Sequence, residues 1–395
     1  MQRDELVELL SPEGLRLLDG LDGYRSDDLV RAVASLRAAG HSPGLVAAVL
    51  TQARLRARAA SKFGEFARSM LFTDAGLEQA TRLRVAALHA GRFASAGLTR
   101  IADLGSGIGG DALALAAIDL EVTAVDADEI TATLASFNLA PFPSARAVHA
   151  DAETFSLDGF DAVYLDPARR TAGHRETRRL EDPDDYSPSL EFAFGLAEHR
   201  PTGIKLGPGF DRERIPADAE AQWVSVDGEL VETGLWFGAL ARPGVRRSAL
   251  LLGSGGASEL VAAADSEDEE VGELGAFVHE PDGSAIRARL LGELARSSGS
   301  RMLSPGIAYL TGDEPSTTPF LRSFRVLAEL PLDERTLARE LKGRGIGVLE
   351  IKKRGVDVDP ALFRRKLALK GTGSAVLILT RVQGRHRALL AERAA

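Results

Sequence analysis

The sequence contains no cysteine. That one absence removes disulfide frameworks, thiolate metal sites such as zinc ribbons and iron–sulfur clusters, and cysteine nucleophiles together. No metal site is expected, and a reducing compartment is compatible. Long apolar runs are missing too: none reaches the ~18 residues of a spanning helix. The opening MQRDELVELL is charged from its third residue and lacks the apolar core of a signal peptide. A soluble, unexported, cytoplasmic protein without a membrane partner is the expectation. Excess positive charge is also lacking, since the net charge is −9. This argues against a generally sticky nucleic-acid binder and leaves room for a local basic face.

What is present is ordinary in bulk and uneven in distribution. Apolar residues at 45% and charged residues at 27% are those of a globular protein, and 395 residues imply two or three domains. From Leu321 to Ala395 there are 17 Lys and Arg against 8 Asp and Glu, a net +9 that leaves −18 for the rest. A basic module is joined to an acidic body. The oligomeric state is not legible.

Residues 1–95 read as helices. Apolar residues recur at three- and four-residue spacing in DDLVRAVASLRAAG, SPGLVAAVLTQARLRARAA and DAGLEQATRLRVAALHAGRF, with Ser42-Pro43 and Thr73-Asp74 as helix starts. From Thr99 the period changes. The short runs TRIADLG, EVTAVDA, ARAVHADA, FDAVYLDP and TGIKLGP alternate with DALALAAI and ITATLASFNLA, the signature of right-handed βαβ units and a parallel sheet covered on both faces. QWVSVDGELVETGLWFGAL and RRSALLLG read as strands that finish the sheet in antiparallel fashion. The Gly/Ser-rich, acidic SGGASELVAAADSEDEEVGEL is a loop or hairpin near a boundary. Beyond Phe277 a mixed module follows: a helix in EPDGSAIRARLLGELARSSG, strand–helix–strand in FRVLAELPLDERTLARELKGRGIGVLEIKKRG, a helix in LFRRKLALKG and a closing strand in SAVLILTRV. The expected class is α/β: a Rossmann-like sheet at 96–255, a helical domain at 1–95 before it and an α+β module at 275–395 after it.

Chemistry concentrates where the first strand meets the first helix of the sheet. In DLGSGIGG, Gly105, Gly107 and Gly109 allow a tight turn and a close approach of ligand to backbone. Gly105, Gly107 and Gly110 also satisfy the G-x-G-x-x-G pattern of a dinucleotide site. What separates the two readings is Asp103, two positions before the first glycine, where a dinucleotide fingerprint carries an apolar residue. A carboxylate there suits a ligand with an ammonium group, as in the methionine part of S-adenosyl-L-methionine. Asp126 ends the second strand, placed for ribose hydroxyls, and Asp151 follows the third, placed for the adenine amino group. Each Asp alone reads more readily as a strand-end or helix-capping residue. Together they converge on the crevice at the carboxyl ends of the strands. Ile130 and Phe155 could flank an adenine, though core packing explains them better.

After the fourth strand comes Asp166-Pro167-Ala168-Arg169-Arg170. It is similar to the D/N-P-P-Y/F/W motif of amino-methylating enzymes, in which the first side chain and a backbone carbonyl hold the target amine. Ala168 replaces the second proline and Arg169 the aromatic, so the usual stacking wall is absent. Asp166, Pro167 and Arg169 are the candidate catalytic residues. Arg170, with Arg175, Arg178 and Arg179, suits an anionic substrate, although Glu176, Glu181 and Asp182 could equally make it a solvated charge run. Lys205, ending the fifth strand, lies on the same rim. Phe63, Glu78 and Gln79 precede the first strand and could cover the cofactor or serve structure alone.

Taken together, GLEQAT, DLGSGIGGDALALA, LDPARR, KLGP, EPDGSAIRA and LEIKKRG resemble a bacterial family of class I S-adenosylmethionine-dependent methyltransferase-like proteins with a THUMP-like C-terminal domain. The catalytic half is similar to trimethylguanosine synthase and guanosine N2-methyltransferases. THUMP domains bind RNA, so the resemblance implies methylation of an exocyclic amine in tRNA or rRNA. Independently of family, Lys352, Lys353 and Arg354, with Arg364, Arg365, Lys366 and Lys370, form a basic cluster suited to phosphate contacts. Aromatics are sparse there, which favours backbone or shape recognition. A methyltransferase for a small molecule or protein, and a non-catalytic cofactor-binding protein associated with RNA, remain alternatives.

Overall fold

The computed structural model describes residues 3–21, 29–169 and 186–394, without the side chains of 29–31 and 169. It divides into two compact units, Met1–Leu206 with Leu235–Ala241, and Gly207–Gly234 with Arg242–Ala395.

The first unit opens with helices α1 (Arg3–Leu9), α2 (Pro12–Asp19), α3 (Leu29–Ala38), α4 (Pro43–Phe63), α5 (Asp74–Gln79) and α6 (Leu83–Ser95). The starts read from the sequence are capped as expected: Ser42 Oγ accepts from Leu45 N at 3.0 Å and Thr73 Oγ1 from Gly76 N at 2.9 Å. Then follow β1 (Arg100–Leu104), α7 (Gly110–Ala116), β2 (Glu121–Asp126), α8 (Glu129–Leu139), β3 (Ala145–His149), β4 (Ala162–Leu165), the short β5 (Ala168–Arg169) and β6 (Tyr186–Ser187), α9 (Leu190–Ala197) and β7 (Thr202–Leu206). The strands lie in the order β7-β4-β1-β2-β3, each pair parallel, as the alternating pattern predicts. β4 is buried throughout and β1 beyond its first residue, which is why these strands are apolar runs rather than alternations.

The helical preface shares this core. Phe63, Leu71 and Phe72 are fully buried in one apolar cluster with Phe93, Ile101, Leu113 and Trp236. Each aromatic withdrawn from water contributes about 1.5–3 kcal/mol. Asn138 of α8 fastens the same junction: its Oδ1 accepts from Leu71 N at 2.7 Å, while Nδ2 donates to Leu71 O at 3.1 Å and to Ile108 O at 2.9 Å. Gly203 on β7 makes room for Trp236, since a Cβ there would fall 2.7 Å from the indole.

The second unit begins with β8 (Glu220–Val226), β9 (Glu229–Phe237), whose last residues belong to the first unit, β10 (Arg247–Gly253) and β11 (Gly256–Ala262). β10 pairs with β8 in parallel and with β11 antiparallel, which corrects the expectation of an antiparallel finish. β8 and β9 are neighbours joined through Asp227 and Gly228, both at positive φ. That hairpin reverses the chain, so a strand returning on the other side of β8 runs in β8's own direction. Next come β12 (Phe277–Pro281), α10 (Gly283–Arg287), α11 (Leu291–Ser298), β13 (Arg301–Ser304), β14 (Ile307–Gly312), β15 (Leu321–Pro331), α12 (Glu334–Gly343), β16 (Ile346–Lys353), α13 (Pro360–Leu367), β17 (Gly373–Val382) and β18 (Arg385–Arg393). The segment read as one helix is two, broken where Arg289 takes φ 59°. The closing strand is β18, not β17. Their sheet runs β13-β14-β12-β15-β18-β17-β16, antiparallel except for β16 beside β17. Leu337 and Leu341 of α12 and Phe363 and Leu367 of α13 pack in one apolar cluster with Leu349, Leu377 and Leu390. No helix among the described residues is long and apolar enough to cross a membrane.

Candidate active site

The site grows from the carboxyl end of β1. Gly105, Gly107 and Gly109 all take positive φ, at 75°, 56° and 82°. Gly105 is doubly constrained: besides its φ, a Cβ would lie 3.1 Å from Pro188 Cδ and 3.4 Å from Asp166 O. The turn is held by Gly105 N and Ser106 N, which donate to Val125 O at 2.9 and 3.1 Å, and by Gly107 N, which donates to Asp126 Oδ2 at 2.9 Å. Helix α5 packs on the outside of this turn, where a Cβ at Gly76 would strike Ile108 at 2.6 Å.

Asp103 is 1% exposed, and neither of its carboxylate oxygens has a hydrogen-bond partner among the described residues. Burial, reinforced by the charges of Asp111 and Asp166, pushes its carboxyl well above the usual range, and Lys205 offsets part of this. Asp126 is half-buried; burial raises it, while backbone N–H groups of Asp128 and Gly107 pull the other way. Asp151 lies beyond the end of β3, exposed, with Oδ1 accepting from Glu153 N at 2.8 Å. The nearby Phe155 packs against Phe160, ring centroids 6.0 Å apart.

Asp166 follows β4, and Lys205 of β7 reaches across to it: Lys205 Nζ donates to Asp166 Oδ2, to Thr81 Oγ1 at 3.1 Å and to Gln79 O at 3.3 Å. Lys205 thus turns towards Asp166 and the preface. Behind Thr81 stands Asp111 of α7, fully withdrawn from water, whose Oδ2 accepts from Thr81 Oγ1 at 2.6 Å and whose Oδ1 lies 2.8 Å from His89 Nδ1. Tyr164 Oη is 2.9 Å from the same imidazole nitrogen. Burial pushes Asp111 upward, yet the His89 hydrogen bond and charge, with Lys205 and Thr81, hold it below the ordinary carboxylate value. Pro167 is buried. β5 pairs with β6, Arg169 opposite Tyr186. The Arg169 side chain, Arg170, Arg175, Arg178 and Arg179 lie outside the described residues.

The structure brings Asp103, Asp126, Asp166 and Lys205 together around the glycine turn. Sequence reasoning missed Thr81, His89, Asp111, Asn138 and Lys62, the last donating to Leu77 O, Glu78 O and Ala80 O at 2.7–2.9 Å. Asp111 had one signal, an acid directly after the glycine run, but it reads equally as a helix-start residue.

In the second unit, Lys352 is held by Glu280 at 2.7 and 3.0 Å and lies over Phe324. Arg354 donates to Ala308 O and stacks over Tyr309, 4.9 Å from its centroid. Lys366 pairs with Glu334 at 2.6 Å. Lys353, Arg364, Arg365 and Lys370 are exposed, as are Arg335, Arg339 and Lys342 on α12.

Residues 321–393 match a family described as THUMP domain-like, and residues 2–59 match a domain of unknown function. An uncharacterized S-adenosylmethionine-dependent methyltransferase of Mycobacterium tuberculosis, in strains CDC 1551 and H37Rv, is 35% identical over 340 residues, 83% of this chain and 90% of that protein. The crystal structure of a proposed methyltransferase from Porphyromonas gingivalis W83 matches with a TM-score of 0.71 over 94% of this chain and 99% of that one, at 19% identity. The two share a fold.

Proposed function

The chain belongs to the S-adenosylmethionine-dependent methyltransferase family of those mycobacterial relatives, and on that premise we propose that it methylates an exocyclic amine of a base in RNA. The observation that carries the cofactor half of this reading is Asp103. A buried carboxylate with no donor costs several kcal/mol, and the cofactor's ammonium is a cation with N–H donors of the kind it lacks. The residues present fit the cofactor. Asp126, anchored by the turn, accepts the ribose hydroxyls, and Asp151 accepts the adenine amino group. The backbone of Gly105, Gly107 and Gly109 allows close approach.

S-adenosylmethionine, when bound, supplies a methyl group on a positively charged sulfur. Asp166, with the Pro167 carbonyl, orients the acceptor amine so that its lone pair faces that methyl; positioning of this kind supplies most of the rate. Lys205 fixes Asp166. In the sequence Arg169 stands at the motif position of the aromatic, and a guanidinium can stack on a base or grip a phosphate.

Support for RNA comes from the THUMP-like match, the basic charge of residues 321–395 and the exposed basic side chains of α12 and α13. Lys352 and Arg354 are engaged internally, so the phosphate contacts fall to Lys353, Arg364 and Arg365. The test is to incubate RNA from a strain lacking the gene with the protein and methyl-labelled cofactor, and to profile modified nucleosides in both strains. RNA that gains no label, with no nucleoside lost in the deletion strain, refutes the RNA reading. Replacing Arg364 and Arg365 by Gln should weaken RNA binding and lower the salt slope by roughly two.

A further inference from the structure

We propose that Thr81 and Asp111 are positioning residues that aim Lys205 at Asp166, with His89 anchoring Asp111 from within the core. This rests on the reading of Asp166 as the group that orients the acceptor amine. The geometry fixes the direction of each hydrogen bond. An ammonium has three N–H donors and no acceptor, and the three oxygens of Gln79, Thr81 and Asp166 meet them. Thr81 Oγ1 therefore accepts from Lys205, and its own proton points to Asp111 Oδ2, 2.6 Å away. An ionised Asp111 can only accept, so its Oδ1, 2.8 Å from His89 Nδ1, selects the tautomer with a proton on that nitrogen, which Tyr164 Oη also approaches at 2.9 Å.

The chain of contacts runs from the mouth of the site to the core through segments far apart in sequence: the residue after β4, β7, the loop between α5 and α6, α7 and the middle of α6. A lysine side chain is otherwise flexible, with four carbons of rotatable stem. Here Lys205 is 11% exposed, and the two anchors besides Asp166 leave its ammonium one direction in which to meet the carboxylate. Low local polarity strengthens each bond and makes the members cooperative. The loop carrying Thr81 is itself pinned by Lys62 on the carbonyls of Leu77, Glu78 and Ala80, so removing the Thr81 hydroxyl alone leaves the backbone in place.

The experiment uses the full chain with Thr81→Val, Thr81→Ser and Asp111→Asn. In protein labelled with nitrogen-15 lysine, Lys205 should give an ammonium signal protected from exchange, identified by its loss in Lys205→Met, with Lys62 as internal control. Thr81→Val and Asp111→Asn should abolish the Lys205 signal and keep that of Lys62, while Thr81→Ser retains both. With methyl-labelled cofactor and RNA from the deletion strain, Thr81→Val should lower kcat about tenfold and leave KM and the affinity for S-adenosylhomocysteine within threefold. Thr81→Ser should recover most of the rate. A Lys205 signal unchanged in Thr81→Val, or a serine variant as slow as the valine one, overturns the proposal. Asp166→Asn separates the two ideas: full transfer by that variant refutes the role of Asp166, while the lysine signal still decides the role of Thr81.

Discussion

Asp103→Asn replaces a buried, donor-less carboxylate by a neutral group of the same shape, and the structure sets opposite signs for its two effects. Among the described residues neither oxygen has a partner, and burial together with Asp111, Asp166 and Asp126 raises the cost of a charge there. Asparagine bears neither that charge nor the cost of taking up a proton to avoid it, although the new amide is itself unsatisfied; a net gain of about 1–2 kcal/mol is expected. For a unit of this size that corresponds to roughly 2–8 °C in melting temperature. The cofactor's ammonium loses its buried counter-charge, worth about 2–5 kcal/mol, so affinity should fall on the order of a hundredfold or more. Differential scanning calorimetry of the free protein and titration with S-adenosylhomocysteine measure the two. Binding within threefold of wild type refutes the role assigned to Asp103, and a lower melting temperature refutes the reasoning about its burial.

On the proposed role of Asp103, cofactor binding should also depend on pH. Asp103 holds its proton to higher pH than usual under the influence of burial and of Asp111, Asp166 and Asp126, with Lys205 opposing. The bound state needs the anion, so affinity should weaken as pH falls below that raised value. Titrations in buffers of different ionisation heat should show proton release; identical heats would count against it. Gly105→Ala must adopt φ 75° with Cβ 3.1 Å from Pro188, and should cost about 1–3 kcal/mol and at least tenfold in cofactor affinity; wild-type values for both would show the turn to be compliant. In the second unit, burial depresses His279 from 6.5 to about 4. The unfolded chain binds that proton first, so the contribution is complete above pH 6.5 and lost as pH drops towards 4, on the order of 3 kcal/mol. His279→Gln should flatten this limb of the stability curve, and an unaltered limb assigns it to other groups.

The glycine turn and the carboxylates around it were legible because they are local. A run of successive positive-φ residues favours glycine, and parallel strands deliver their end residues to one edge of the sheet, so Asp103, Asp126 and Asp166 could be picked out from the βα pattern alone. The parts that could not be read are those whose meaning is a partner. Thr81 looks like an ordinary loop residue and His89 like an ordinary helix residue until Asp111 is beside them. Lys352 and Arg354 belong to a basic run in sequence, yet Glu280 and the Ala308 carbonyl, both far back in the chain, engage them in space. The direction of β10 depended on the side of β8 to which the chain returned. β12 to β14 are short strands amid polar turns, where periodicity has too few residues to register.

The Asn138 amide sets the scale on which the glycine turn can open. One side chain of α8 closes on Leu71 N, Leu71 O and Ile108 O, so an opening that withdraws Asn138 breaks three buried hydrogen bonds and frees the glycine turn and the backbone of the preface in the same event. Such an opening is a sub-global unfolding rather than a loop fluctuation. In native-state hydrogen exchange the Leu71 amide and those of Gly105 and Ser106 should therefore share one opening free energy, and a ligand seated on the turn should slow exchange at Leu71.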